Sequence, residues 1–391
     1  MDWFRRYPYA YRDTDSSPVY LVAMRNIWRS SGDRSLLEES WPSLAAGWRF
    51  SVAHVDRKDG LMVIPSHESG VNENEADRTL KELPLELSWV AGAEAYAELA
   101  AAKGEVSISE EARRASELAK TSLTQFWDTG RHYYFEGLRA GNVPFARQTV
   151  SPAWGIWQGI FSPREQNMVL DRLAQPAFRT GWGLRSVPSD DPSYEADSYA
   201  HGSVSPLSTG IYILAALAAH RPQESWSMWH SLIKASFLGS PGHIPEVLSG
   251  DSFRPLEVSV PEQTWSSAAL LTSTVRGILG FHPDVPNNKL CFEPHLPEEW
   301  KRWAIHGVQF GGRRLEFTLE HAGAGMELSI INDGHPFQLE FSPQVSSEGP
   351  IQAYVNGEAW PVWLRYGGHD VDAVMTLTVE RNMQVRLSAN R

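Results

Sequence analysis

The segment Ile64-Pro65-Ser66-His67-Glu68-Ser69-Gly70-Val71-Asn72-Glu73-Asn74-Glu75 sets three carboxylates and a glycine in a dozen residues with neither helical nor strand period. A loop of that acidity, just ahead of a long helical stretch, is where binding and catalytic groups tend to lie. Carboxylates there could donate a proton, accept one, or grip hydroxyl groups. Three further segments concentrate polarity beside helices. They are Tyr11-Arg12-Asp13-Thr14-Asp15-Ser16-Ser17-Pro18, the stretch from Trp182 to Pro206, and His243-Ile244-Pro245-Glu246 with Pro261-Glu262-Gln263-Thr264-Trp265. Each has a plainer reading: Asp15 could cap the helix that follows it, the acidic loop could simply be solvated, and Glu262 suits the positive end of a helix.

The elements that would hold these groups change character along the chain. Apolar residues recur at i, i+3 and i+4 from Val19 to Trp28 and stop at Gly32. Asp33 reads as the N-cap of a helix from Leu36 to about Val52, with Trp41-Pro42 as an irregularity. Further helices are expected over Leu83–Ala102, Ser109–Phe126, Pro152–Phe161, Pro163–Leu173, Pro206–Ala219, Ser225–Leu238 and Thr264–Leu279. Helix pairs without strands predict stacked α-hairpins rather than a doubly wound sheet. Beyond Pro294 the pattern alternates, as in Leu315-Glu316-Phe317-Thr318-Leu319 and Phe337-Gln338-Leu339-Glu340-Phe341, with turns at Asn332-Asp333-Gly334 and Asn356-Gly357. That predicts a small antiparallel β domain. The expected division is residues 1–298, helical, and 299–391, a β-sandwich-like domain.

Composition narrows the function. The chain has 391 residues, 42% of them hydrophobic, enough for a large core. Its net charge is −12, from 35 basic and 47 acidic residues, without a basic run, so nucleic acid is not an expected partner. Sixteen tryptophans suit a carbohydrate site, because sugar C–H faces pack on indole rings, although most are expected in the core. The single cysteine, Cys291, rules out an internal disulfide framework and a cysteine zinc site. No His/carboxylate cluster at ligand spacing and no phosphate loop stands out, so neither metal nor cofactor is expected. Nothing resembles a signal peptide or a membrane span, and the chain as given reads as soluble with its compartment open.

Several of these stretches resemble six-hairpin glycoside hydrolases. Glu68-Ser69-Gly70-Val71 matches the Glu-Ser-Gly-X-Asp loop of trehalases and mannosylglycerate-hydrolase-like enzymes, with Asn72 where their general acid stands. Arg12 and Asp15 are similar to the Arg-X-X-X-Asp-Gly-Pro stretch of glucoamylases, which implies a subsite for a terminal sugar. Trp182-Gly183-Leu184-Arg185-Ser186 with Tyr199, His201 and Gly202-Ser203-Val204 resembles debranching-enzyme-like relatives. Ser205, Leu207 and Ser208 replace the Trp, His and Asp of that family, which puts its usual sugar in doubt. Thr264-Trp265-Ser266-Ser267-Ala268-Ala269-Leu270-Leu271 resembles the last glucoamylase helix, and Glu246 falls at the catalytic base, with Glu262 as a rival.

The resemblance implies an (α/α)6 toroid, short of its first helix or completed by another chain. It implies an inverting hydrolase of a short α-linked oligosaccharide or glycoside, with two carboxyls about 6.5–9.5 Å apart. Glu246 is then the base. An amide at Asn72 cannot donate the proton, so the acid is open among Glu68, Glu73, Glu75 and Asp77, or is absent. Arg12, Asp15, Trp182, Arg185, Tyr199, His201 and Trp265 are the expected sugar-binding residues. A catalytically degenerate carbohydrate-binding protein and a polysaccharide lyase using Tyr199 and His201 are the competing readings.

Overall fold

The computed structural model describes residues 13–66, 68, 70–71, 78–297, 299–322, 325–345, 350–367 and 370–389. Arg12, Asn72, Glu73, Glu75 and Asp77 lie outside them. Among the described residues the helices are α1 (Ser16–Ser31), α2 (Arg34–Ala53), α3 (Leu83–Lys103), α4 (Val106–Ser122), α5 (Pro152–Trp157), α6 (Pro163–Leu173), α7 (Pro206–Ala218), α8 (Pro222–Ala235) and α9 (Thr264–Thr272). A single π-type turn, Ser273–Ile278, extends α9.

Local signals explain the boundaries. Gly32 ends α1 in the left-handed region at φ 64° and donates its N–H to Trp28 O. The Asp33 carboxylate accepts from the N–H groups of Ser35 and Leu36 and starts α2, as expected. Ser162 and Glu165 form a reciprocal capping box at the start of α6. The helix expected from Ser109 begins earlier, at Val106, and the Ser109 hydroxyl donates to Ala97 O.

The helices pack as hairpins in two rows. Each even-numbered helix lies against the odd-numbered one before it, and the odd helices contact one another in sequence, α1 on α3, α3 on α5, α5 on α7 and α7 on α9. Burial follows this order. Helix α3 is buried on nearly every face from Leu83 to Ala100, while α4 buries only Ser109, Ala112, Ser116 and Ala119. Trp48 of α2 stacks on Trp89 and Tyr96 of α3, with ring centroids 5.3 and 5.0 Å apart, so these indoles are core.

The helical region is not free of strands, contrary to the sequence reading. β1 (Lys81–Glu82), β4 (Gly137–Arg139) and β5 (Val143–Phe145) form a three-stranded sheet, and β2 (Trp127–Asp128) pairs with β3 (Tyr133–Tyr134). Strands of two or three residues carry too little alternation to register as a period.

The β domain begins earlier than residue 299. β6 (Phe281–Asp284) and β7 (Lys289–Phe292) are bonded into the sheet that holds β11 (Phe337–Phe341) and β16 (Val371–Val379). The prolines at 283 and 286 and the short intervening turn mask this hairpin in the sequence. β7 pairs with β11 in parallel, so the domain is not purely antiparallel. The facing sheet runs β14 (Glu358–Trp360), β13 (Ile351–Val355), β17 (Asn382–Ala389), β10 (Gly325–Asn332), β9 (Arg313–Ala322) and β8 (Arg302–Phe310). Phe317 of that sheet packs against Phe281 and Phe292 of the other, at 5.0 and 5.3 Å between centroids.

Candidate active site

The candidate residues sit at one end of the row of odd helices. Arg29 of α1 forms an ion pair with Glu98, late in α3. Arg25 reaches Gln158 at the C-cap of α5, at 3.4 Å. Arg276, in the turn that extends α9, donates to Ser30 of α1 at 3.1 Å. A Cβ at Gly277 in that turn would touch Leu217 near the end of α7, at 2.8 Å. The C-terminal ends of all five odd helices thus lie together, among the described residues. Their N-terminal ends share the other side, and the candidate loops precede those ends: Asp15 before α1, the acidic loop before α3, Tyr199 and His201 before α7, and Glu246 and Gln263 before α9.

On the α1–α3 side, Glu68 anchors the loop. Its Oε2 accepts from the buried Thr14 hydroxyl at 3.1 Å and lies 3.0 Å from His54 Nε2. His54 is the C-cap of α2, and its Nδ1 is 2.8 Å from Phe50 O. A carbonyl only accepts, so Nδ1 carries a hydrogen. The remaining nitrogen, Nε2, faces the Glu68 carboxylate.

The loop backbone is held as well. Arg78 donates to the carbonyls of Pro65 and Glu68, each at 2.7 Å. A Cβ at Gly70 would stand 2.4 Å from Glu82 Oε2 and 2.5 Å from Ile64 Cδ1, so only glycine lets the loop lie this close to the buried Glu82. Sequence reading missed both His54 and Glu82, which lie outside the motif and meet it only in the fold. Asp15 occupies the N-cap position of α1, but its side chain makes no capping bond, so capping does not account for it.

On the α7–α9 side, isolated antiparallel bridges Arg185↔Val204, Val204↔Leu248 and Leu248↔Pro255 lace three loops together. Glu246 is half-buried among them. Its Oε1 accepts from Tyr199 Oη at 2.9 Å and from Gln263 Nε2 at 3.3 Å, and its Oε2 from Val260 N at 3.4 Å. All three partners are donors, so the carboxylate is held as an acceptor. Tyr199 and Trp265 are each 51% exposed and present aromatic faces to solvent. Trp182 donates Nε1 to Ser249 O at 2.9 Å, which ties its indole to the Glu246 loop.

Arg185 is used differently from the expectation. Its Nε donates to Gly250 O at 2.9 Å and Tyr194 Oη at 3.2 Å, and its Nη1 to Pro176 O at 2.8 Å and Ala177 O at 3.1 Å. The guanidinium braces the loops around Glu246. His201 is half-buried on the same segment, where its carbonyl accepts from Glu195 N. Glu262 stands on the surface, 3.8 Å from His243 Nδ1.

Comparison with known proteins fits this arrangement. Residues 284–344 match the C-terminal domain of glycosyl hydrolase family 65. No curated protein matches the chain. Among solved structures, a sialidase superposes with a TM-score of 0.69 at 11% identity, covering 91% of this chain and 32% of that one. The α-L-rhamnosidase of Dictyoglumus thermophilum does so at 0.56 and 12% identity, covering 92% and 38%. The GH63 mannosylglycerate hydrolase of Thermus thermophilus, in complex with glucose, gives 0.53 and 16% identity, covering 65% of this chain and 74% of its own. The family match lies within the β domain, and the solved structures share the fold of this chain. The chain spans about a third of the length of the first of these structures.

Proposed function

We propose that this protein is a six-hairpin glycoside hydrolase that inverts the anomeric centre of a short α-linked oligosaccharide or glycoside, with Glu246 as general base and a carboxyl of the acidic loop as general acid. The observation that carries the reading is the pairing of two unlike carboxyls at the same end of the odd helices. Glu246 is held by three donors, whereas Glu68 lies against the imidazole of His54. An inverting hydrolase needs such a difference: one carboxylate to take a proton from water, and one acid to protonate the leaving oxygen.

Glu68 is the acid this arrangement supports best, because His54 Nε2 can hold or return the proton that Glu68 gives up. Glu73 is the alternative, one residue beyond Asn72 in the sequence. Asp15 and Arg12 hold the terminal sugar, with Trp182, Tyr199 and Trp265 against its apolar faces and His201 beside them. The closure of the odd helices into an (α/α)6 ring belongs to the same proposal. It is supported by the Arg276–Ser30 contact, which joins α1 to the far end of the row. A second chain would pack against the exposed Ile27 of α1 and Leu271 of α9.

Glu246→Gln tests the base. The variant keeps the size and hydrogen-bonding reach of the side chain but cannot accept a proton, so kcat on an aryl glycoside should fall by about 10³-fold or more while sugar affinity stays within a few-fold. Nuclear magnetic resonance of the first-formed anomer reports inversion directly. A fully active Glu246→Gln protein removes the assignment. A folded wild type that turns over no aryl glycoside or disaccharide favours the degenerate binding protein that Asn72 suggests.

A further inference from the structure

Four side chains from three separate stretches of the sequence meet at the seam between helices and sandwich. His220 lies in the turn between α7 and α8 at a φ of 57°. Glu293 follows β7, and Asp370 and Asp372 lie at the start of β16. His220 Nδ1 is 3.0 Å from Asp370 Oδ1 and 3.3 Å from Asp372 Oδ2. Ligand atoms of His220, Glu293 and Asp372 all lie within 4.8 Å of one another.

Beyond the contacts with His220, this cluster leaves carboxylate oxygens unmatched among the described residues. Asp370 Oδ2 and Asp372 Oδ1 have no hydrogen-bond partner there, and both aspartate side chains are 0% exposed. Buried carboxylate oxygens left in this state are costly. Arg365 contributes one positive charge: its Nη2 pairs with Glu293 Oε1 and lies 2.9 Å from Asp372 Oδ2. Three carboxylates thus face one guanidinium and the His220 imidazole. The backbone makes room for the cluster at Gly367, where a Cβ would come within 2.4 Å of Asp370 Oδ1 and 2.5 Å of His220 Cβ.

We propose that His220, Glu293, Asp370 and Asp372 bind a divalent metal ion that accepts imidazole nitrogen together with carboxylate oxygen, zinc or manganese. Donors about 2.1 Å from such an ion lie roughly 3.0–3.4 Å apart in octahedral or tetrahedral geometry, the spacing seen from His220 to the two aspartates. Calcium and magnesium prefer all-oxygen sites, and the histidine disfavours them. The ion would fasten the α7–α8 turn to the sandwich and steady α7, whose N-terminal approach carries Tyr199 and His201. It is distant in sequence from every candidate catalytic group, and its test is independent of glycoside hydrolysis.

The full chain, purified without chelator, should contain about one equivalent of zinc or manganese by mass spectrometry. After chelation, adding Zn²⁺ or Mn²⁺ should raise Tm by about 2–5 °C, and Mg²⁺ or Ca²⁺ should not. His220→Gln and Asp372→Asn should each lose the metal and the shift. Should Asp372→Asn fail to fold, His220→Gln carries the comparison, because His220 sits at the half-exposed edge of the cluster. Equal metal content in wild type and His220→Gln, with a Tm indifferent to chelator and ions, overturns the proposal. So does a Tm that ignores metal but falls as pH rises through the histidine range, which assigns the site to a His220 imidazolium between the aspartates.

Discussion

Glu68 and His54 show how a single backbone carbonyl can decide the chemistry of a carboxyl. Because Phe50 O takes the Nδ1 hydrogen, the far nitrogen of His54 faces Glu68 either as a base or as part of an imidazolium. In the proposed reaction Glu68 supplies a proton to the leaving group. The need depends on the leaving group. Glu68→Gln should lower kcat by about 10²–10⁴-fold on glycosides with alkyl or sugar leaving groups, and by little on dinitrophenyl glycosides, whose anion departs unassisted. Steady-state rates on the two substrate classes check this. Equal losses on both would make Glu68 a positioning residue and move the acid to Glu73. The motif Glu68-Ser69-Gly70 was legible in the sequence, but the histidine that it meets was not, since His54 ends a helix and belongs to no pattern.

At the scale of elements, most helices could be read because their ends are written in side chains: Asp33 before α2, Gly32 after α1, Pro163 opening α6. The short strands could not, because β1 and β4 have two and three residues and exist only through each other. They matter to the site, for β1 puts Glu82 under the acidic loop. Helix α3, next along the chain, carries a second cost of this crowding. Glu86 is wholly buried, its Oε2 accepts from Met62 N at 3.0 Å, and its Oε1 has no partner. Burial holds its carboxyl well above the ordinary range, against the smaller opposing effect of the Met62 N–H. The folded state therefore keeps a proton that the unfolded chain releases above a pH of about 4.3. The neutral carboxyl's contribution is fully present below that pH and is lost as pH rises through the raised folded value. Glu86→Gln keeps the acceptor for Met62 and removes the charge. Its Tm should match wild type near pH 4.5 and exceed it at pH 8, by the equivalent of roughly 1–3 kcal/mol. Thermal melts of both proteins across that range check the sign, and a gap that closes with rising pH would contradict it.

For the whole molecule, the change from period 3.6 to period two is visible in the sequence, but the seam between the two regions is not where that change is seen. The sheet reaches back to Phe281, and β6 and β7 owe their place to partners much later in the chain: Phe292 stacks on Phe341 at 5.4 Å and packs on Phe317 at 5.3 Å. The two regions also interlock, with Trp226 Nε1 donating to His295 O at 2.7 Å and Trp229 edge-on to Trp300 at 5.8 Å. A chain ending at residue 298 would keep the β6–β7 hairpin and strip it of β11, leaving Phe281, Leu290 and Phe292 without cover. An isolated hairpin is at best marginally stable, and exposed aromatic faces of this kind promote association. A chain ending at residue 280 exposes the helical side of the seam but carries no orphaned strand. The longer fragment should therefore bind more of a hydrophobic dye per chain and aggregate at lower temperature than the shorter one, despite its additional contacts to α8. Light scattering and dye fluorescence on the two fragments check this. The opposite order would show that the hairpin belongs with the helices and that the seam lies after it.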